Sequence, residues 1–156
     1  MNTLEHAVRW SLWVGVGAAF VLSAGCAGTI SKSPVTALTG AQEVPPVTTS
    51  ASGSTDIAAW ESKCPAATSS SQCPTIAGRV WTTGFAGTSA EVHQGAPGQN
   101  GPAIVTLTKV DDNTWVIPTA TTITPAQYSA YWAGQLYVNV HSTANQNGEV
   151  RAQLKP

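Results

Sequence analysis

The sequence predicts an all-β domain, an antiparallel β-sandwich or partly closed barrel with one short helix. Three observations lead there. Short apolar stretches are separated throughout by Gly, Pro, Asn and Ser/Thr clusters, the rhythm of a sandwich or barrel. Two segments near the C-terminus alternate apolar and polar residues with period two. Only residues 124–134 carry both a start and a stop signal for a helix.

Taken in order, residues 1–25 read as an export signal. Arg9 precedes an apolar run from Trp10 to Ala24, which at about 15 residues is short of the roughly 20 that span a bilayer. Leu22-Ser23-Ala24-Gly25-Cys26 resembles a bacterial lipobox, so Cys26 is the expected lipidation site; simple secretion after ordinary cleavage is the alternative. Residues 26–34, small and polar, suit a tether between lipid and domain. Residues 35–156 then form one domain, because the 131 residues from Cys26 onward are too few for two ordinary ones.

Strands are expected near 35–39, 56–60, 75–83, 86–93, 102–108, 114–117, 135–142 and 148–155. Between the second and third lies a Ser/Ala/Pro-rich loop containing Cys64 and Cys73. In an oxidising compartment a bridge between them adds roughly 2.5–3 kcal/mol by loop closure. A zinc site there lacks a nearby His and is the poorer reading. The helix is expected to be capped by Thr124, to start at Pro125 and to stop at Gly134, with Tyr128 and Trp132 on one face.

Within 135–141, Leu136, Val138 and Val140 point one way and Tyr137, Asn139 and His141 the other. Within 148–154, Val150, Ala152 and Leu154 oppose Glu149, Arg151 and Gln153. Matching the apolar faces requires a register of even residue sum, and the simplest such register places His141 opposite Glu149, Asn139 opposite Arg151 and Tyr137 opposite Gln153. The polar row so formed is either a recognition face or a satisfied cross-strand network. A further alternating segment, Ser89-Ala-Glu91-Val-His93, puts Glu91 and His93 on one side and leads into a turn rich in Gly and Pro. Two imidazoles and a carboxylate suit Zn²⁺, Cu²⁺ or Fe²⁺, provided this strand neighbours the one bearing His141.

These segments resemble the CHRD family, named after domains of the extracellular protein chordin and found as single domains in bacterial envelope proteins. The matching stretches are Leu38-Thr-Gly-Ala-Gln-Glu43-Val-Pro-Pro46-Val47 with Gly53, then Ala90-Glu-Val-His93 with Gly95, Gly98, Asn100, Gly101 and Pro102. They continue through Ile123-Thr124 with Gln127, Gly134 to Ser142, and Gly148 to Leu154. The resemblance implies an immunoglobulin-like, extracytoplasmic β-domain without an established activity. A recurring three-His set in the family looks like a metal site of the copper type; this chain has Glu91-Val92-His93 where the family often has His-x-His, a departure that weakens soft-metal binding without abolishing it. A second departure is Ala152 in place of a Gly between Arg151 and Gln153.

Composition narrows function. A formal charge of −1 offers no basic stripe for nucleic acid. The chain has no Gly-x-Ser-x-Gly elbow, phosphate loop or His-Glu-x-x-His, so an enzyme is not the expected reading. The expectation is a lipid-anchored envelope domain, on an outer membrane facing periplasm or exterior, that binds an envelope protein or a glycan. The alternative is a copper- or zinc-binding protein, redox-active if the ion keeps an open position, using Glu91, His93 and His141. Trp60, Trp81 and Trp115 are candidates for core packing or for a recognition surface.

Overall fold

The computed structural model describes residues 35–62 and 73–156. The expected export signal, the expected tether, Cys26 and Cys64 therefore lie outside the described residues, and so does the expected Cys64–Cys73 pairing. Eleven strands and one α-helix follow in order. They are β1 (Thr36–Thr39), β2 (Ser52–Thr55), β3 (Ala58–Trp60), β4 (Thr75–Ala77), β5 (Arg79–Thr83) and β6 (Gly87–Gln94). Then come β7 (Ala103–Thr106), β8 (Thr108–Asp111), β9 (Thr114–Val116), α1 (Pro125–Trp132), β10 (Leu136–Ser142) and β11 (Val150–Gln153).

Nine strands form one antiparallel sheet in the order β7-β6-β10-β11-β1-β2-β5-β9-β8, and β3 pairs with β4 apart from it. The two edges, β7 and β8, are consecutive in the chain and separated by Leu107 alone. One residue spans less than about 4 Å, so the sheet must curl until its edges nearly meet. The Leu107 N–H donates to the Ala90 carbonyl across that junction, and Lys109 Nζ donates to the Gly87 carbonyl. Of the two architectures expected, the nearly closed barrel is the one formed.

The interior is filled by the apolar half of each alternating strand. Leu136, Val138 and Val140 from β10 meet Val150 and Ala152 from β11, Ala90 and Val92 from β6, and Leu38 from β1. Each Leu or Val among them contributes roughly 1.5–3 kcal/mol by leaving water. Trp115 closes the barrel from β9 and is core, with its ring against Gly87. Trp60 and Trp81 are exposed, as is Trp132 on α1.

Three departures raise the strand number from the eight expected to eleven. No strand is expected over 52–55, yet Ser52–Thr55 is one because β1 and β5 supply hydrogen-bond partners on both sides. The single strand expected over 75–83 breaks at Gly78, whose φ of +133° redirects the chain and where a Cβ would lie 2.5 Å from Ile57 Cα. The strand expected over 102–108 is split at buried Leu107. The helix follows its signals: Thr124 and Gln127 form a reciprocal capping box, Pro125 opens the first turn, and Gly134 turns left-handed at φ +67°.

Candidate metal centre

The site depends on β6 and β10 lying side by side. Their antiparallel register opposes Val92 to Val138, Glu91 to Asn139, His93 to Tyr137 and Ser89 to His141. Odd-numbered side chains on both strands therefore share a face. Irregularities in pairing flank the cluster, between Val92 and His93 against β7 and between His141 and Ser142 against β6, and such bulges re-aim side chains. The ligand atoms of Glu91, His93 and His141 all lie within 4.8 Å of one another, and the three residues are half-buried.

Both imidazoles are oriented by backbone carbonyls. His93 Nδ1 lies 3.0 Å from the Gly101 carbonyl and His141 Nδ1 lies 2.9 Å from that of Gln146. Since a carbonyl only accepts, each Nδ1 carries the proton. In a neutral ring this leaves the lone pair on Nε2, the arrangement by which metal-bound histidines are held from behind. His93 Nε2 is buried and has no hydrogen-bond partner among the described residues. His141 Nε2 meets Glu91 Oε2 at 2.9 Å, so both of its nitrogens face acceptors. A neutral ring has one N–H for the two; an imidazolium satisfies both, and so does a cation between Nε2 and the carboxylate. Burial pushes the His93 pKa below its ordinary value, which keeps a ligand lone pair available near neutrality; the Gly101 carbonyl and Glu91 work against this shift without reversing it.

Behind His93 stands a column of flat groups. The Tyr137 ring stacks on His93 at 4.9 Å with 8° between planes, and the Arg151 guanidinium covers the other face at 3.5 Å. Gly101 ties the column together. Its N–H donates to the Tyr137 hydroxyl oxygen at 3.1 Å, while its carbonyl receives His93 Nδ1. Arg151 in turn binds Asn100 Oδ1 and the Gln99 carbonyl, holding the loop that carries Gly101.

The polar row differs from its expected form in two respects. It is not an open face: Tyr137, Asn139 and Arg151 are 2 %, 4 % and 1 % exposed. The 95–101 loop roofs Tyr137, Arg151 and Gln153, and Glu43 of the Gly40–Val47 segment covers Asn139. A barrel leaves these side chains outside its core, and loops distant in sequence bury them there. Secondly, Glu149 pairs with neither His141 nor Arg151. Its carboxylate accepts from Thr49, from Ser142 at 2.7 Å and from Asn145 at 2.6 Å, bracing the β10–β11 connection. Burial alone would raise its pKa, but these three hydrogen bonds outweigh it and hold the group low. Asn139 does oppose Arg151, and Tyr137 does oppose Gln153, as in the simplest register that matches the apolar faces.

Three participants escaped sequence reasoning: Glu43, Asn100 and Gly101. Their only signal was membership of the Leu38–Val47 and Gly95–Pro102 motifs, which says that they matter and not what they touch.

A family model described as the CHRD domain matches residues 35–154, nearly the whole described domain. No curated protein and no solved structure matches the chain.

Proposed function

Since this chain belongs to the CHRD domain family, an extracellular type of binding or structural domain, we propose that it binds a transition-metal ion through Glu91, His93 and His141. The observation that carries this reading is the pair of histidines whose Nδ1 atoms face carbonyls while Nε2 of one is buried without a partner and Nε2 of the other meets a carboxylate. An unpartnered buried nitrogen is costly, and a cation removes the cost by accepting its lone pair. Two imidazoles and one carboxylate suit zinc, and copper is the second choice because a carboxylate replaces a third imidazole. Three protein ligands leave one position of a tetrahedral ion open to water or an exogenous donor.

The remaining assignments complete the picture of an envelope protein. Cys26 is the lipid attachment point, residues 26–34 are the tether to an outer membrane, and Cys64 is bridged to Cys73. Support for the bridge comes from the loop's base, where Ser62 and Cys73 exchange two hydrogen bonds, Cys73 N–H to the Ser62 carbonyl and Ser62 Oγ to the Cys73 carbonyl.

The test is elemental analysis of the protein matured in its own envelope, beside His93→Ala and His141→Ala. One equivalent of metal in the parent and none in either variant is expected. Metal-free parent protein, or variants that retain the ion, would overturn the assignment and leave recognition of an envelope protein or glycan, with Trp60, Trp81 and Trp132 as the exposed aromatic groups.

A further inference from the structure

Glu43 is 4 % exposed, yet no cation forms an ion pair with it among the described residues. The nearest candidate, Arg151, directs its donors to Asn100, Gln99, Ala96 and Gln153 instead. What Glu43 does meet is an amide. Asn139 Nδ2 donates to Glu43 Oε2 at 3.2 Å. The other oxygen of each group, Glu43 Oε1 and Asn139 Oδ1, is buried and has no partner among the described residues.

Two acceptors left unpaired on groups that already share one hydrogen bond are a specific pattern. Two unpartnered buried oxygens would be a double penalty. A proton on Oε1 removes both at once, because a carboxylic acid and a primary amide form a ring of two hydrogen bonds, N–H to one oxygen and O–H to the other. The surroundings fit a rigid pair. Both groups press on Gly148, where a Cβ would fall 2.5 Å from Glu43 Oε2 and 2.6 Å from Asn139 Nδ2.

We infer that Glu43 is held as a neutral carboxylic acid bonded twice to the Asn139 amide, and that this pair is a pH-sensitive latch fastening the Gly40–Val47 segment over β10. The charged and titratable groups that face it are Arg151 from β11 and Glu149 from the end of the β10–β11 connection; Arg151 favours the carboxylate and Glu149 opposes it. Burial outweighs Arg151 and pushes the Glu43 pKa up to about 7. The sign of the pH dependence follows. Between the ordinary carboxylate value of 4.5 and about 7, the folded protein keeps a proton that the unfolded chain has lost. Stability therefore falls as pH rises through that window and levels off above it, the unfolding constant increasing by up to about 300-fold from this group.

The latch is independent of any metal and is tested on the metal-free protein by following the Glu43 side-chain carboxyl carbon by NMR against pH. A midpoint near 7 is expected; a midpoint in the ordinary carboxylate range, as a bridging water between the two oxygens would give, overturns the inference. Glu43→Gln retains two hydrogen bonds to Asn139 and cannot titrate, so its stability should lose the decline between pH 5 and 8 seen in the parent. Amide exchange at Val47, whose N–H is bonded to the Gly40 carbonyl, reads the segment itself. Its protection should drop across pH 7 in the parent and not in Glu43→Gln after correction for intrinsic exchange; identical profiles would refute the latch.

Discussion

Replacing Gly148 by Ala isolates the pair of side chains that holds the Gly40–Val47 segment. The residue sits at φ +136°, a backbone region from which a Cβ is largely excluded, and strain of this kind costs of order 1–3 kcal/mol. The new methyl would also fall 2.5 Å from Glu43 Oε2 and 2.7 Å from Glu43 Cδ. Glu43 can swing away, since cavities of about 390 and 210 Å³ flank it, but only by giving up Asn139. Leaving buried polar groups unmatched adds about 1–3 kcal/mol. The sum is roughly 4 kcal/mol, which lowers Tm by about 15 °C for a domain of this size. Gly98 is the control: its φ is +75° and a Cβ there meets nothing within 4 Å, so Gly98→Ala pays strain alone, about 1–2 kcal/mol. Thermal unfolding by circular dichroism at pH 6 measures both. A Gly148→Ala loss no greater than that of Gly98→Ala would show that the Glu43–Asn139 contact contributes nothing.

Two other predictions concern the centre and the compartment. Tyr137→Phe keeps the ring stack on His93 but removes the hydroxyl that fixes the Gly101 N–H, so zinc affinity should fall about 10-fold with the fold intact; unchanged affinity in a zinc titration would remove Tyr137 from the support of His93. Mass spectrometry of the exported chain should find diacylglycerol on Cys26, and digestion without reductant should yield a linked Cys64–Cys73 peptide. Unmodified Cys26, or free alkylation of both loop cysteines, would contradict these assignments.

The strands that build the centre were legible because a half-buried strand must alternate. Leu136-Tyr-Val-Asn-Val-His141 and Val150-Arg-Ala-Gln153 bury both apolar sets only in registers of even sum, and the simplest of these is the one observed. The same logic put Glu91 and His93 on one side of their strand. β2 was illegible for the converse reason: Ser52-Gly-Ser-Thr55 has no apolar pattern of its own, and only flanking strands make it extended.

By itself, then, the order of residues determined which side chains share a face, where the helix begins and ends, and that the product is a β-domain of this family. Tertiary structure alone decided that β6 lies against β10, which brings His141 to Glu91, and that the polar row is roofed instead of open. Alternation is a local property, enforced residue by residue by the pleat. The contact of Glu43 with Asn139 joins positions 96 residues apart, and that of Arg151 with Asn100 joins positions 51 apart. Whether such groups meet depends on how the whole sheet closes, and no short stretch of sequence carries that information.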